Sequence, residues 1–345
     1  MGDDEIHELT PAELNDRGIE LAERGEHAAA ERWFRRAADT GSSDAWLNLG
    51  RLLKMLGRMA EALAAYDEAG RLGAAEGYLL SGDLLHAELD DVEAAKSAYR
   101  KAIAMGDPDA WVNLGVTFES EGELDHALHA YETAVGQGDR AANLQLAELL
   151  VRLDAEPATV EHAYREAFAG GEDRALLGLG QVLRESGSPD EAEAFLREAV
   201  TRGVDGAHAA LGWLLESRHL RGAAETAYRD GFALGDGAAA LCLANLLSAS
   251  ERYGQAESTY RDAIALGELD AHNNLGVLLL ELERFAEAEN ELRAGATAGD
   301  PLAARNYAKL LLEADRTDEA EIALEVAVRG GAESAVQMLA DLREA

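Results

Sequence analysis

The sequence predicts an all-α protein built as an α-solenoid, in which one small pair of helices is stacked many times along the chain. Hydrophobic residues make up 48% of the sequence but aromatic residues only 6%. That balance, rich in alanine and leucine, suits closely packed helices. A glycine also returns every 32 or 33 residues, and a fixed period of this length indicates a repeat architecture. The recurring glycines are Gly41, Gly73, Gly106, Gly138, Gly171, Gly203, Gly235, Gly267, Gly299 and Gly331.

The copy at residues 106–137 shows the repeating unit most clearly. Asp109 is predicted to cap its first helix and Gly122 to end that helix. A pair of helices of ~13 residues is marginal in water on its own, so each copy is expected to bury its faces against its neighbours. The inward positions at helical spacing are Trp111, Leu114, Gly115 and Phe118 in the first helix, and Ala127, Tyr131 and Ala134 in the second.

Four positions of this unit recur along the chain and are named here after their commonest or largest occupant. The glycine site holds Gly18, Gly50, Gly82, Gly115, Gly180, Gly212 and Gly276, with alanine at Ala147, Ala244 and Ala308. The alanine site of the second helix holds Ala127 and its equivalents. The aromatic site holds Phe34, Tyr66, Tyr99, Tyr131, Tyr164, Tyr228 and Tyr260, with leucine in the other copies. The Trp site, four residues before the glycine site, holds Trp46 and Trp111 but His208 and His272 elsewhere.

The packing role of these sites follows from their sizes. The small residue at the glycine site is expected to let the second helix approach the first, with the aromatic side chain filling the space beside it. Two copies have 33 residues, and their extra residue falls near Asp90 and Ala155, where the turn between the two helices can absorb it.

The pattern Trp111-x2-Leu114-Gly115-x2-Phe118, followed by Ala127-x3-Tyr131-x2-Ala134, resembles the tetratricopeptide repeat. The period of about 32 residues is shorter than the family's 34, and the closing glycine is similar to Sel1-like repeats. The resemblance implies a right-handed superhelix of about ten helix-turn-helix repeats of 32–33 residues. The repeats would occupy residues 12–331, after an acidic N-terminal tail at 1–11 and before a C-terminal capping helix at 332–345.

The charge of the chain limits its partners. There are 66 acidic and 31 basic residues, for a formal net charge of −35. Binding to nucleic acid or to an anionic membrane needs a lysine- and arginine-rich surface, so we expect neither. The acidic opening lacks a signal-peptide pattern, and no apolar run is long enough to span a membrane, which together predict a cytoplasmic protein. Self-association stays open.

No constellation in the sequence predicts an enzyme, a cofactor or a metal site. Cys242 lies in an apolar stretch and is interpreted as a packing residue. His126, His129 and His162 share one helix face or register and could contribute to a metal site, but no carboxylate pattern completes one. We therefore interpret these histidines as structural or solvated.

The resemblance implies that first helices line a concave groove, and it places eleven residues on that groove. The basic ones could bind an acidic peptide beside exposed apolar anchors; alternatively, they are paired with Glu148, Glu185 and Glu216. Asn48, Asn113, Asn274 and Asn306 share one register, where a carboxylate clamp or bonds to helix backbone are the alternatives. The candidate groove residues are Leu47, Arg51, Lys54, Met55, Leu144, Arg152, Leu177, Arg184, Trp213, Arg305 and Lys309.

These observations predict a non-enzymatic scaffold or adaptor that holds a protein or peptide in its groove. Two other functions stay open. One is a peptide-responsive regulator, which would need an output module. The other is an acidic chaperone or mimic that binds basic proteins through the charge of the chain itself, with strong salt dependence.

Overall fold

The computed structural model of the chain describes residues 9–344, which are helical throughout apart from short turns. They contain 21 helices and no strand. Two compact units divide the chain after Glu172. No helix within residues 9–344 is both long and apolar enough to cross a membrane.

The first unit contains the first five helix pairs. These helices are α1 (Pro11–Glu23), α2 (His27–Ala38), α3 (Ser43–Met55), α4 (Met59–Arg71), α5 (Ala75–Ala87), α6 (Val92–Ala104), α7 (Asp109–Ser120), α8 (Leu124–Gly136), α9 (Ala142–Arg152) and α10 (Pro157–Ala169).

The second unit contains five further pairs and one final helix. These helices are α11 (Ala175–Glu185), α12 (Pro189–Arg202), α13 (Ala207–Ser217), α14 (Arg221–Ala233), α15 (Gly237–Ala249), α16 (Tyr253–Ala265), α17 (Asp270–Glu281), α18 (Phe285–Thr297), α19 (Pro301–Glu313), α20 (Thr317–Arg329) and α21 (Glu333–Glu344). Odd-numbered helices are the first helices of their copies, and even-numbered helices are the second.

The turns explain the period of the sequence. The recurring glycine that closes each copy has a positive φ, which reaches 102° at Gly73 and Gly171. Residues with a side chain rarely adopt this left-handed conformation, so glycine is favoured there. The turn inside a copy has four residues at 88–91 and 153–156 but three in every other copy. The extra residue of the two 33-residue copies therefore lies in the turn, as expected.

One expected helix cap is wrong. Asp109 lies inside the first turn of α7 rather than before it. Asp107 stands two residues earlier, and its Oδ1 accepts a hydrogen bond from the backbone N–H of Asp109 at 3.1 Å. The free amide of the helix start is thus satisfied by a different carboxylate from the one the sequence suggested.

In the seven copies with glycine at the glycine site, that residue lies in close contact with the side chain at the aromatic site. A Cβ atom added to Gly115 would lie 2.5 Å from the ring of Tyr131. The same distance separates such an atom at Gly18 from the Phe34 ring. Both rings are almost wholly buried. In the copy that carries leucine instead, a Cβ at Gly180 would lie 2.5 Å from Leu196. The expected packing role of the glycine site is therefore confirmed.

A row of ion pairs joins consecutive second helices, and the sequence analysis missed it. Arg58, directly before α4, binds Glu61 of its own helix at 2.6 Å and Glu31 of the preceding second helix at 2.8 Å. Three further copies place an arginine at the same register with the same double contact. Arg252 donates to Gln255 and Glu225. Arg284 donates to Glu287 and Glu257. Arg316 donates to Glu319 and Glu289.

We expect Gly115→Ala to destabilise the fourth copy, because the added methyl group overlaps the Tyr131 ring. Overpacking of this kind costs roughly 1–3 kcal/mol. The matched control is Gly136→Ala in α8 of the same copy, where a Cβ meets nothing within 4 Å. That change should stabilise the helix, by up to about 1 kcal/mol. Hydrogen exchange of α7 and α8 measures both effects, and equal protection in the two variants would contradict the packing account.

We also expect these arginine–carboxylate pairs to stop stabilising the fold in acid. Hydrogen bonds from Arg284 hold the pKa of Glu287 below its ordinary value of 4.5. A carboxylate whose pKa is lowered by folding stabilises the fold above its unfolded pKa and loses that effect as the pH falls through the lowered folded value. Arg284→Gln should therefore lower the melting temperature at neutral pH but not in acid well below pH 4.5.

The quantity to compare is the difference in melting temperature between parent and variant at each pH. The melting temperature of either protein alone is not enough, because protonation also relieves repulsion among the excess carboxylates. Arg71→Gln is the control, because Arg71 binds Glu68 within a single helix at 2.7 Å. A difference between parent and Arg284→Gln that stays constant down the pH range would show that Arg284 acts through packing alone.

Candidate functional site

The first helices of consecutive copies pack side by side. In the second unit α11, α13, α15, α17 and α19 contact one another in order along the chain. We call the solvent-facing side of these five helices the first-helix surface of unit 2. In the first unit the same kind of contact joins α1 to α3 and α5 to α7.

The predicted groove residues are divided between the two units. Residues Leu47 to Met55 lie on α3, and Leu144 and Arg152 on α9. In the second unit Leu177 and Arg184 lie on α11, Trp213 on α13, and Arg305 and Lys309 on α19. All therefore lie on first helices.

For two of the predicted apolar anchors, the expectation that the side chain is exposed is wrong. Leu47 and Leu144 are each only 4% exposed. Both stand three residues before the glycine site. Asn15 and Asn273 hold the same register and are also buried, each bonded to an asparagine of the next first helix. The register is not covered in every copy, because Leu177 at the same position is half-buried.

The remaining apolar candidates are accessible. Met55 is 59% exposed and Trp213 is 52% exposed, whereas Leu177 is half-buried. A large exposed indole is an unusual surface residue and a common anchor in protein interfaces.

The basic candidates of unit 1 are held by carboxylates of neighbouring copies. Arg51 binds Glu76 at 2.5 Å, and Lys54 lies 3.9 Å from Glu88. Arg152 binds Glu119 of the preceding first helix. The pairing alternative thus describes these side chains, but with partners one copy away.

Arg184 and Trp213 form one composite group on unit 2. The Arg184 guanidinium lies 3.6 Å from the centre of the Trp213 ring, and it also donates to Glu185 at 3.0 Å. Stacking on an indole face is a favourable cation–π arrangement. It holds the arginine on α11 against the tryptophan on α13, so that two first helices present a single surface.

Asparagine side chains form a hydrogen-bonded chain across unit 2. Asn306 donates to Asn273 at 2.8 Å, and Asn273 donates to Asn274 at 3.1 Å. Asn274 donates to Asn245 at 3.0 Å. The chain begins at Arg305, which donates to Asn306 at 3.2 Å. The expectation that Asn274 and Asn306 bond helix backbone is therefore wrong, because carboxamides of the preceding copy are closer and match their donors.

The other two asparagines of that register behave in the same way. Asn48 donates to Asn15 at 3.0 Å, and Asn113 donates to Asp83 at 2.8 Å. Asn245 and Asn273 were missed because they stand at other registers of their copies. For Asn245 the available signal was an amide side chain within the leucine- and alanine-rich helix α15.

An open cavity of about 600 Å³ lies over this asparagine chain. Its walls come from α15, α16, α17 and α19, and its mouth opens on the first-helix surface. Arg305 lines the cavity, and its Nε is buried without a hydrogen-bond partner. Buried donors of this kind are rare, and their satisfaction favours an added acceptor. The lining side chains include Asn245, Ser248, Tyr260, Asn274, Glu281, Arg305 and Asn306.

The described residues contain no group of three or more His, Cys, Asp and Glu side chains arranged to hold a metal ion. Burial raises the pKa of the Cys242 thiol to about 11, so it is protonated at neutral pH. The ring of His126 stacks on Phe118 at 5.0 Å, and His129 packs edge-on against Trp111 at 6.4 Å. These side chains have packing contacts in the fold.

Comparison with known families decides the identity of the repeats. The family model described as tetratricopeptide repeat matches residues 15–76, 84–143, 161–207 and 241–301. The chain belongs to the tetratricopeptide repeat family. Repeats of this family generally mediate protein–protein interaction. No curated relative matches the tetratricopeptide chain.

The chain is similar to several solved structures. The chain is similar to yeast Tom70, with a TM-score of 0.59 and 12% identity over 96% of this chain and 95% of that one. It also matches a Sel1 repeat protein from Oxalobacter formigenes, with a TM-score of 0.43 and 23% identity over 55% of this chain and 85% of that one. A third match is the MamA protein, with a TM-score of 0.35 and 23% identity over 57% of this chain and 93% of that one. The likeness to Tom70 shows the helical-repeat solenoid fold.

Proposed function

We propose that this tetratricopeptide repeat protein is a scaffold that holds an extended segment of a partner polypeptide on the first-helix surface of unit 2. The asparagine chain is the observation that carries the proposal. It fixes the orientation of several carboxamides in one row, beneath an open cavity and near the Arg184–Trp213 stack.

Carboxamides are suited to a polypeptide backbone. An extended segment presents an N–H donor and a C=O acceptor at every residue except proline. Each asparagine amide has two N–H donors and one carbonyl acceptor. The bond from Asn274 to Asn245 uses one N–H of Asn274. The second N–H of Asn274 and both of Asn245 are left for a ligand, within the part of the chain that the structure describes.

The side chains beside the asparagine chain favour particular groups of a bound polypeptide. The buried Arg305 Nε favours an acceptor such as a backbone carbonyl or a side-chain carboxylate. Trp213 offers an apolar face whose free side is exposed, while Arg184 covers the other. The first-helix surface of unit 2 therefore offers both polar amide groups and an aromatic side chain, a combination that peptide-binding surfaces use.

The test uses a partner isolated by affinity capture and purified, with its dissociation constant measured at fixed salt. Asn274→Ala should weaken binding roughly fivefold, as expected for one net hydrogen bond. Trp213→Ala should weaken it by about 2 kcal/mol or more, the usual loss at an interface anchor.

Matched controls lie on second helices. Asn290→Ala alters an exposed asparagine on α18, and Arg197→Glu reverses an exposed arginine on α12. Neither should change affinity, and melting curves of all variants separate binding from folding. Loss of binding in the control variants, with parent-like affinity in Asn274→Ala and Trp213→Ala, would move the site to the second helices.

A further inference from the structure

The Trp site of the fifth copy holds an asparagine where the three preceding copies place a large aromatic ring. Trp46 and Trp111 occupy the site in copies 2 and 4, and Tyr78 occupies it in copy 3. The fifth copy has Asn143 there. The internal repeat thus provides its own comparison, because the same fold is shown with and without the ring.

The neighbouring copies show what normally fills this position. Trp111 packs edge-on against His129 of its own second helix, with ring centres 6.4 Å apart and planes at 87°. Trp46 packs against a buried cluster that includes Ala37 and Ala38, at the end of the preceding second helix. The ring at the Trp site therefore fills a slot between two consecutive second helices.

In the fifth copy the walls of that slot are present and the ring is missing. His162 has the register of His129, and Val135 has the register of Ala38. Both line a cavity of about 550 Å³ bounded by α8, α9 and α10. Asn143 lies at its base, is 6% exposed, and donates to the carbonyl of Arg140 at 3.2 Å.

The lining of the cavity between α8, α9 and α10 indicates the chemistry of its occupant. Its inner wall is apolar, with Val135, Leu146, Leu150 and Ala163. Its charged lining groups are Glu132, Asp139, Glu166 and Arg140, three acids and one base. An aromatic ring fits the wall, and a positive charge next to that ring fits the acidic excess.

We propose that this cavity, the α8–α10 slot, binds a tryptophan side chain flanked by basic residues from a partner polypeptide. The indole would enter the space that Trp111 occupies in the preceding copy, edge-on to His162. The lysine or arginine beside it would face Glu132 and Glu166. This site involves second helices of unit 1, so the proposal does not rest on the function assigned to the first-helix surface of unit 2.

The test titrates the full chain with three N-acetylated, C-amidated tripeptides and follows binding by calorimetry and ligand-detected NMR. The peptide Lys-Trp-Lys should bind saturably at one site. Lys-Ala-Lys should show no saturable binding, and Glu-Trp-Glu should bind at least roughly tenfold more weakly because of the acidic lining. Tryptamine distinguishes a small-molecule site, since equal or tighter binding of tryptamine would overturn the assignment to a polypeptide.

Asn143→Trp is the decisive variant, because it restores the large ring of the three preceding copies and should abolish binding of Lys-Trp-Lys. Asn143→Leu fills the slot with a smaller group and should also abolish it, which keeps the test valid if the tryptophan variant does not fold. Glu166→Gln should weaken Lys-Trp-Lys but not Glu-Trp-Glu, with Glu156→Gln at the start of the same helix as control. Parent-like binding in a folded Asn143→Trp or Asn143→Leu variant would overturn the proposal.

Discussion

The contact between the glycine site and the aromatic site is the constraint on which the rest of the structure depends. In the copies with glycine at this site, a ring such as that of Tyr131 lies close to where a Cβ on the first helix would be, so this contact sets how near the two helices approach. Interiors of proteins are packed tightly enough that such a contact behaves as a fixed spacer. Every other surface of the copy is positioned relative to it.

This constraint separates the conserved geometry of a copy from its variable surfaces. The inner contact repeats with little change, whereas the Trp site holds Trp111 in one copy and Asn143 in the next. First helices likewise carry leucine, asparagine or arginine at equivalent registers. In a stacked-repeat protein each copy contacts mainly its neighbours, so local surfaces can differ without disturbing the inner packing.

The fold could be predicted from the sequence because the period and the small residues directly reflect helix packing. The site could be predicted only in part. Register alone selected Trp213 and Arg184, which the structure brings into contact, but it also selected Leu47, which is buried. The partner of Arg152 could not be predicted either, because Glu119 is distant in the sequence and its approach depends on how consecutive first helices are spaced.

Native-state hydrogen exchange resolved along the whole chain tests the central role of the inner contact most directly. The account predicts that protection is highest around the glycine site and the aromatic site of each copy, with maxima that recur every 32–33 residues. Copies with leucine at the aromatic site, such as that of Leu196, should follow the same period. Protection concentrated in one block of the chain, without that period, would contradict it.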